Sequence, residues 1–353
     1  MGGDGRNGSC FRGRRPEEPE GGPGALAAGR FPSKVGGEPA WLDPAGLPGG
    51  AEAGECAACG EPGLRFLLQL YCPLDGCGAP QCFHRALFVF VCPGCLARPA
   101  RPEEVDGAGG ASAETYARGV RVFRSQLPRA NPHYPPDPLP PLENFASVHR
   151  PDVARGVWPE LELVNDEEPD EEEAQRAPGE ARVQAMVKEH QRQEAEGAGE
   201  DSGDEDGVSV DSGDEGDGLP PDPEEEEETE AEREQECWDS FRYRVARAPD
   251  QVIRYDHSGS EGPLWSSLEG RPSCIPLCGR CGGPRDFEFQ VMPQCLLHLG
   301  QDELAADSLD WDSIVVFTCR DSCGPAEGGG YVEEFGWVHR STAGGVRANV
   351  EEL

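Results

Sequence analysis

Two pairs of closely spaced cysteines occur in each half of this 353-residue chain, and no other feature constrains its fold as strongly. The pairs are Cys56 with Cys59, Cys92 with Cys95, Cys278 with Cys281, and Cys319 with Cys323. A turn that carries two thiolates can present both to one ion, and a second such turn completes a tetrahedral site. The spacing therefore predicts two structural metal sites, each of four cysteines, that hold about two zinc ions.

The residues around these cysteines also repeat. Cys56-Ala-Ala-Cys59-Gly, followed by Pro62, matches Cys278-Gly-Arg-Cys281-Gly, followed by Pro284. A Val-Phe-x-Cys run leads into the second pair of each half. Chance explains one such match but not a series in one order, so we interpret the halves as a duplication. The 32 and 37 residues between the pairs exceed the roughly 15–20 of a simple zinc ribbon, which indicates an insertion in each copy.

Runs rich in Leu, Phe and Val, bounded by Gly or Pro, predict the strands of each copy. These runs are 64–71, 87–92, 287–291, 314–318 and 331–338. One helix is predicted over 230–246, where Trp238, Phe241 and Val245 share a face that we expect to pack on the core. A second is predicted from Pro293 to Leu304. The fold class predicted is thus α+β and β-rich, with two duplicated zinc-ribbon-like halves joined by a long disordered acidic linker.

The charge of the chain is concentrated between these halves. Residues 166–236 hold 30 acids, five bases and no Trp, Phe or Tyr, so they carry −25 of the net charge of −36. Such a segment cannot bury enough apolar surface to fold. The predicted organisation is a disordered tail (1–30), an N-terminal zinc-binding repeat (31–128), a Pro-rich connector with a short docking motif (129–165), an acidic disordered linker (166–229), a C-terminal zinc-binding repeat (230–340) and a tail (341–353).

Other patterns leave alternatives open. Cys72, Cys77, Cys82 and His84 could hold a third ion, or His84 could replace one of the cysteine ligands above, but we favour an ordinary histidine that flanks a strand and incidental thiols. Ser202 and Ser212 lie in near-identical Asp-Ser-Gly-Asp-Glu motifs. Both motifs are typical of acidophilic kinase sites, although they are also typical of low-complexity sequence. A redox role for Cys92-Pro-Gly-Cys95 is disfavoured, because the residues that follow are poor helix formers.

Several function classes are not expected. The longest apolar run is seven residues, against the ~20 that a membrane span needs, and no secretory signal is found, so we expect a protein of the cytoplasm and nucleus. The net charge repels phosphate backbones, so no direct DNA binding is expected. The motifs of zinc proteases, serine hydrolases and P-loops do not occur, and four-thiolate sites leave no open position for a substrate. The sequence therefore predicts that the protein is not an enzyme.

Longer motifs resemble the programmed cell death protein 2 family. They include Phe31-Pro-Ser-Lys-Val-Gly-Gly-Glu-Pro-Ala-Trp41, Val122-Phe-Arg-Ser-Gln-Leu-Pro128, Trp158-Pro-Glu-Leu-Glu-Leu163, Pro249-Asp-Gln-Val-Ile-Arg-Tyr255 and Phe287-Glu-Phe-Gln-Val-Met-Pro-Gln294. The resemblance covers both predicted folded segments. One departure is that residues 129–157 contain no cysteine, so the MYND zinc finger of the fuller family members is missing. Functions that depend on that finger, such as binding Pro-rich corepressor peptides, are therefore in doubt here.

The resemblance implies a dedicated chaperone that escorts a basic small-subunit ribosomal protein, number two in the eukaryotic nomenclature, during biogenesis of the 40S subunit. An acidic segment suits that client, because it can neutralise a basic protein and speed its association. We expect a monomer. The alternative that the family name carries is a nuclear or cytoplasmic interaction adaptor in apoptosis or transcriptional regulation.

Overall fold

The computed structural model describes residues 9–14, 26, 28–48, 54–74, 80–97, 119–135, 157–169, 229–257, 261–300, 308–324 and 330–340. Within these ranges the chain forms ten strands: β1 (Ser9–Arg14), β2 (Lys34–Val35), β3 (Arg65–Tyr71), β4 (His84–Val91), β5 (Val120–Leu127), β6 (Leu161–Glu167), β7 (Gln251–Tyr255), β8 (Arg285–Val291), β9 (Ser313–Cys319) and β10 (Tyr331–His339). The α-helices are α1 (Pro93–Leu96) and α2 (Glu230–Arg247), and short 3-10 helices lie at Ala28–Arg30, Pro80–Cys82 and Pro293–His298.

The strands close into one antiparallel barrel in the order β1-β6-β2-β3-β4-β5-β10-β9-β8-β7, and β7 pairs back onto β1. The predicted α+β class, with two zinc-ribbon-like halves, is therefore wrong. The reason is that the last strands of the two halves pair with each other, with Ser125 opposite Tyr331. Neither half keeps the free sheet edge that a separate ribbon would have, because closure of a barrel removes the edges.

The barrel closes through an exchange of strands between the halves. β2–β5 and β7–β10 are four-stranded meanders of the same order. β1 precedes the first meander in the chain but pairs with β7 of the second, whereas β6 precedes the second and pairs with β2 of the first. β1 and β6 also pair with each other. The repeat in the sequence is thus repeated in the order of the strands.

The five predicted strands are confirmed as β3, β4, β8, β9 and β10, with ends that differ by up to three residues. The helix over 230–246 is confirmed as α2, and a capping box between Thr229 and Glu232 begins it. Its residues Phe241 and Val245 are buried against Met292. Residues 293–298 form a 3-10 helix rather than an α-helix, and residues 301–304 lie outside the described residues. No helix in the described ranges is long and apolar enough to cross a membrane.

Two strands lie where the sequence predicts tail, connector and linker. β1 falls within 1–30, and β6 spans the end of the Pro-rich connector and the first acidic residues. Local composition hides both, since Arg, Gly and Glu are not typical of strands, whereas the paired neighbours come from distant parts of the chain. Most of the acidic segment, together with Ser202, Ser212 and Cys77, lies outside the described residues.

The interior of the barrel holds a buried ion pair between the halves. Arg85 of β4 makes two 2.7 Å bonds to the carboxylate of Glu288 in β8, and both side chains are fully buried. Tyr255 and Thr318 also donate to Glu288, at 2.9 and 2.6 Å. Burial disfavours the charged carboxylate, but the Arg85 guanidinium holds the pKa of Glu288 well below its usual range. Neighbouring hydrogen bonds are what make such a buried pair tolerable.

Candidate metal centres

The first-half cysteines converge on one point, which we call site A and define as Cys56, Cys59, Cys92 and Cys95. The first two lie on the turn before β3, and the last two lie at the start and within α1, directly after β4. The Sγ atoms of Cys56 and Cys95 are 3.7 Å apart, and those of Cys59 and Cys92 are 3.8 Å apart. All four Sγ atoms lie within 4.8 Å of one another.

The second-half cysteines form the equivalent site B, defined as Cys278, Cys281, Cys319 and Cys323. Here the first pair precedes β8, and the second pair begins at the last residue of β9. The Sγ–Sγ distances are 3.5 Å for Cys278 to Cys323 and 3.5 Å for Cys281 to Cys319. The structure thus brings together the eight cysteines in the two sets that their spacing predicts.

The first turn of each site has the same backbone. In site A the N–H of Gly60 donates to the carbonyl of Cys56 at 2.8 Å, and in site B Gly282 donates to Cys278 at 2.9 Å. Both glycines are left-handed, with φ of +73° and +71°. A residue with a Cβ pays a steric penalty in that region, so glycine suits the position. The turn aims both of its cysteines at the same point.

The sulfur positions fit a metal ion. Four thiolates around a tetrahedral ion, with metal–sulfur bonds of about 2.3 Å, have sulfur–sulfur edges of about 3.8 Å. The 3.5–3.8 Å distances agree with those edges and are far longer than the about 2.05 Å of a disulfide. Within the described residues, sites A and B are the two groups that could hold a metal ion.

Sites A and B lie at opposite ends of the barrel. Site A lies at the end where Arg65 pairs with Val91, and site B at the end where Arg285 pairs with Cys319. β4 and β9 are three antiparallel steps apart in the strand order, so their carboxyl ends point in opposite directions. The symmetry of the meanders therefore places one four-cysteine centre at each end.

The thiols of each site differ in acidity. Burial opposes ionisation of Cys278, but N–H groups of Cys281 and Arg280 donate to its sulfur and lower its pKa to about 7. The N–H of Glu61 likewise lowers the pKa of Cys59. Burial raises the pKa of Cys95 and Cys323. Each site therefore holds one thiol whose pKa is lowered and one whose pKa is raised. Metal binding requires the deprotonated thiolate of each.

The looser cysteine cluster does not assemble among the described residues. Cys72 accepts a 3.1 Å bond from Arg85, Cys82 accepts a 2.7 Å bond from Gln126, and His84 bonds the hydroxyl of Tyr71 at 3.0 Å. Burial lowers the pKa of His84 and raises that of Cys72 to about 12. These three residues thus have separate partners, as the preferred interpretation expects.

The surroundings of the two sites differ. Site A opens onto a cleft of about 540 Å³, which Cys59, Cys92, Glu61 and Arg65 line with their neighbours. Beside site B lies a buried group of charges, in which Glu334 accepts hydrogen bonds from Arg124 at 2.7 Å and from Arg285 at 2.9 Å. The sequence carries no local sign of this group, because Arg124 and Glu334 are 210 residues apart.

Both halves of the chain match domains of known proteins. The family profile of the programmed cell death protein 2 N-terminal domain matches residues 18–141, and that of its C-terminal domain matches 235–340. Programmed cell death protein 2 of Mus musculus is 35% identical over 348 residues, which cover 88% of this chain and 92% of the mouse protein. This chain belongs to the programmed cell death protein 2 family.

Other relatives match at greater distance. Programmed cell death protein 2-like of Homo sapiens is 28% identical over 358 residues, covering 89% of this chain and 90% of the human protein. Probable 20S rRNA accumulation protein 4 of Schizosaccharomyces pombe is 33% identical over 97 residues, or 24% of this chain and 23% of the yeast protein. No solved structure matches the chain. Membership of the family is thus supported along most of the chain, and sites A and B lie within the two matched domains.

Proposed function

We propose that this protein is a non-enzymatic, zinc-stabilised chaperone of the cytoplasm and nucleus that acts in biogenesis of the small ribosomal subunit. Its client would be a basic ribosomal protein. The observation that carries the ribosomal part is the name of the S. pombe relative, which refers to accumulation of 20S rRNA. Membership of one family makes a related role here the simplest inference.

Zinc is the ion that best suits sites A and B. Four thiolates in a tetrahedral arrangement select zinc or an iron–sulfur centre over the hard cations. The paired turns and the distances of 3.5–3.8 Å fit a single ion at each site. Zinc bound there would be structural, since the four cysteines occupy every tetrahedral position. Metal analysis of the purified protein should therefore find two zinc ions per chain.

The charge of the acidic segment supports a basic client. Residues 166–236 carry −25, whereas the other 282 residues of the chain carry only −11. A field of one sign raises the rate at which an oppositely charged protein associates, by about 10- to 1,000-fold, and salt weakens it. The barrel would then recognise the shape of the client, while the acidic segment neutralises its charge.

A charge-neutral variant tests this proposal. The acids between 170 and 228 are changed to Asn and Gln at constant length, which leaves β6 and α2 intact. Association with purified eukaryotic small-subunit ribosomal protein number two is then measured at low and high salt. We expect the association rate to fall about tenfold or more at low salt and to differ little at high salt.

A scrambled segment of unchanged composition is the matched control, and it should associate like the unaltered chain. Association that is the same for the neutral variant at low salt would contradict the role of the acidic segment. Capture of the protein on ribosomes that are synthesising the client separates an escort from an adaptor in apoptosis or transcription, because an adaptor has no reason to bind there.

A further inference from the structure

Beside each four-cysteine site lies an arginine from the half of the chain that supplies none of its cysteines. Arg124 of β5, in the first half, reaches site B. Arg340, directly after β10 in the second half, reaches the backbone beside site A. The backbone around each candidate metal site is therefore held partly by the other half of the chain.

At site B, Arg124 bridges a cysteine and a carboxylate. Its Nη2 donates to the carbonyl oxygen of Cys323 at 2.8 Å, and its Nε donates to Glu334 at 2.7 Å. Glu334 in turn accepts the backbone N–H of Cys319 at 3.1 Å. The side chains of Arg124 and Glu334 are fully buried. One guanidinium–carboxylate unit therefore fixes the backbone of both cysteines in the second pair of site B.

At site A, Arg340 holds the end of α1. Its Nη2 donates to the carbonyl of Leu96, the residue after Cys95, at 2.5 Å. The N–H of Asp310 donates to the same carbonyl at 2.9 Å, and Ala97 forms a β-bridge with Leu309. The second half thus clamps the short helix that carries Cys95, just as the first half clamps Cys323.

We propose that Arg124 and Arg340 are positioning residues of the metal centres, so that each half controls how well the other retains its ion. This inference depends on the proposed binding of metal by sites A and B. Hydrogen bonds outside the ligand shell orient the ligands, and their loss typically lowers metal affinity about 10- to 100-fold. Because the Arg124 contact is buried, water cannot replace it.

The test uses the zinc-loaded full chain, challenged with a chelator and sampled over time. Each sample is alkylated, and mass spectrometry follows the labelling of Cys59 for site A and Cys281 for site B. These two cysteines are the exposed members of their sites. The variants are Arg124→Met and Arg124→Lys, in which Lys keeps the charge beside Glu334 but lacks the planar fork that reaches two acceptors.

We expect Arg124→Met to speed the labelling of Cys281 about 10- to 100-fold and to leave that of Cys59 unchanged. Arg124→Lys should give a smaller acceleration, and Arg340→Met should speed Cys59 alone. Arg121→Met is the control for site B, since Arg121 lies on the same strand but makes an exposed pair with Glu333 at 2.8 Å. It should leave the labelling rate of Cys281 unchanged.

Equal acceleration at both cysteines would mean general destabilisation and would overturn the inference, as would unchanged rates in Arg124→Met and Arg340→Met. If Arg124→Met does not fold, Arg124→Lys decides the result at site B. Absence of bound zinc from the unaltered chain would instead overturn the metal part of the proposed function. The two failures are therefore distinguishable by the metal content of the starting protein.

Discussion

Sites A and B have the same first turn, down to a left-handed glycine at φ of +73° or +71°, but their surroundings differ. Site A borders a cleft of about 540 Å³. The helix α1, which carries Cys95, is held mainly by hydrogen bonds to the carbonyl oxygen of its last residue, Leu96. Site B rests on the buried charges of Arg124, Arg285 and Glu334. The four-cysteine geometry that could bind a metal is thus the same in both halves. The contacts that hold those cysteines in place differ between the halves.

Each meander has a β-bulge at the equivalent position, but the two bulges hold different residues. The register of β3 with β4 shifts between Phe66 and Leu68, and that of β8 with β9 shifts between Phe287 and Phe289. The residue at the first bulge is Leu67, and the residue at the second is Glu288. Equivalent positions thus hold an apolar residue in one half and a buried acid in the other.

The largest effect is expected from removal of one site. Cys278→Ser with Cys323→Ser should reduce the zinc content from two ions to one and strongly destabilise the fold, because structural zinc contributes about 10–16 kcal/mol of binding free energy. Cys56→Ser with Cys95→Ser should likewise reduce the zinc content from two ions to one. Native mass spectrometry and thermal unfolding measure both.

We expect the site B variant to unfold at the lower temperature, because the buried charges beside it lose the backbone partners that site B supplies. Cys274→Ser is the control, since Cys274 is exposed and lies outside both sites, and it should keep two ions. Equal unfolding temperatures for the two site variants would remove this distinction between the sites.

A smaller effect is expected from Glu288→Gln, which breaks the interior pair. It leaves the Arg85 guanidinium buried without its counter-charge, so the free energy of unfolding should fall by about 3–5 kcal/mol. The double change Arg85→Met with Glu288→Leu makes the second bulge resemble the first and should cost much less. Denaturant unfolding measures both, and equal losses would show that the charges are not the cause.

The Arg85–Glu288 pair should also make the free energy of unfolding depend on pH. Since Arg85 lowers the pKa of Glu288 below its ordinary value of 4.5, the charged carboxylate stabilises the folded protein above that pH. That contribution is lost as the pH falls below about 4.5. The unaltered chain should therefore lose stability more steeply in acid than Glu288→Gln, as measured by unfolding at several pH values.

The smallest effects are expected from Gly60→Ala and Gly282→Ala. An added Cβ would meet no atom within 4 Å at either position, so only the left-handed backbone opposes it. Each change should cost about 1–2 kcal/mol. Chemical denaturation should give equal losses, because the two turns have the same geometry. A clear inequality would contradict the equivalence of the first turns.

The cysteine positions and the long strands could be predicted because their signals are local. A Cys-x-x-Cys pair followed by Gly, or a run such as Leu87 to Val91, carries its own pattern within a few residues. The closure of the barrel could not be predicted in that way. β2 consists only of Lys34–Val35, which is too short to show the alternating pattern of a strand. The pairing of Ser125 with Tyr331 joins residues about 200 positions apart in the chain.

The candidate metal sites likewise have a part that local sequence predicts and a part that it does not. Spacing alone groups the eight cysteines, whereas their support by Arg124 and Arg340 depends on contacts across 199 and 244 residues. The interior pair of Arg85 with Glu288 is likewise separated by 203 residues. No local pattern selects these partners, because the sequence around each reads as an ordinary strand.

The exchange of β1 and β6 has a consequence for the order of events during synthesis. β1 is made first, yet its two neighbours lie at Leu161–Glu167 and Gln251–Tyr255. The first meander can form early, but its edge strands β2 and β5 then lack their outer neighbours β6 and Tyr331–His339 until those strands have been made. Pairings over such separations form slowly. A nascent chain of this protein thus keeps β1 and the outer edges of β2 and β5 unpaired until the later strands have been translated.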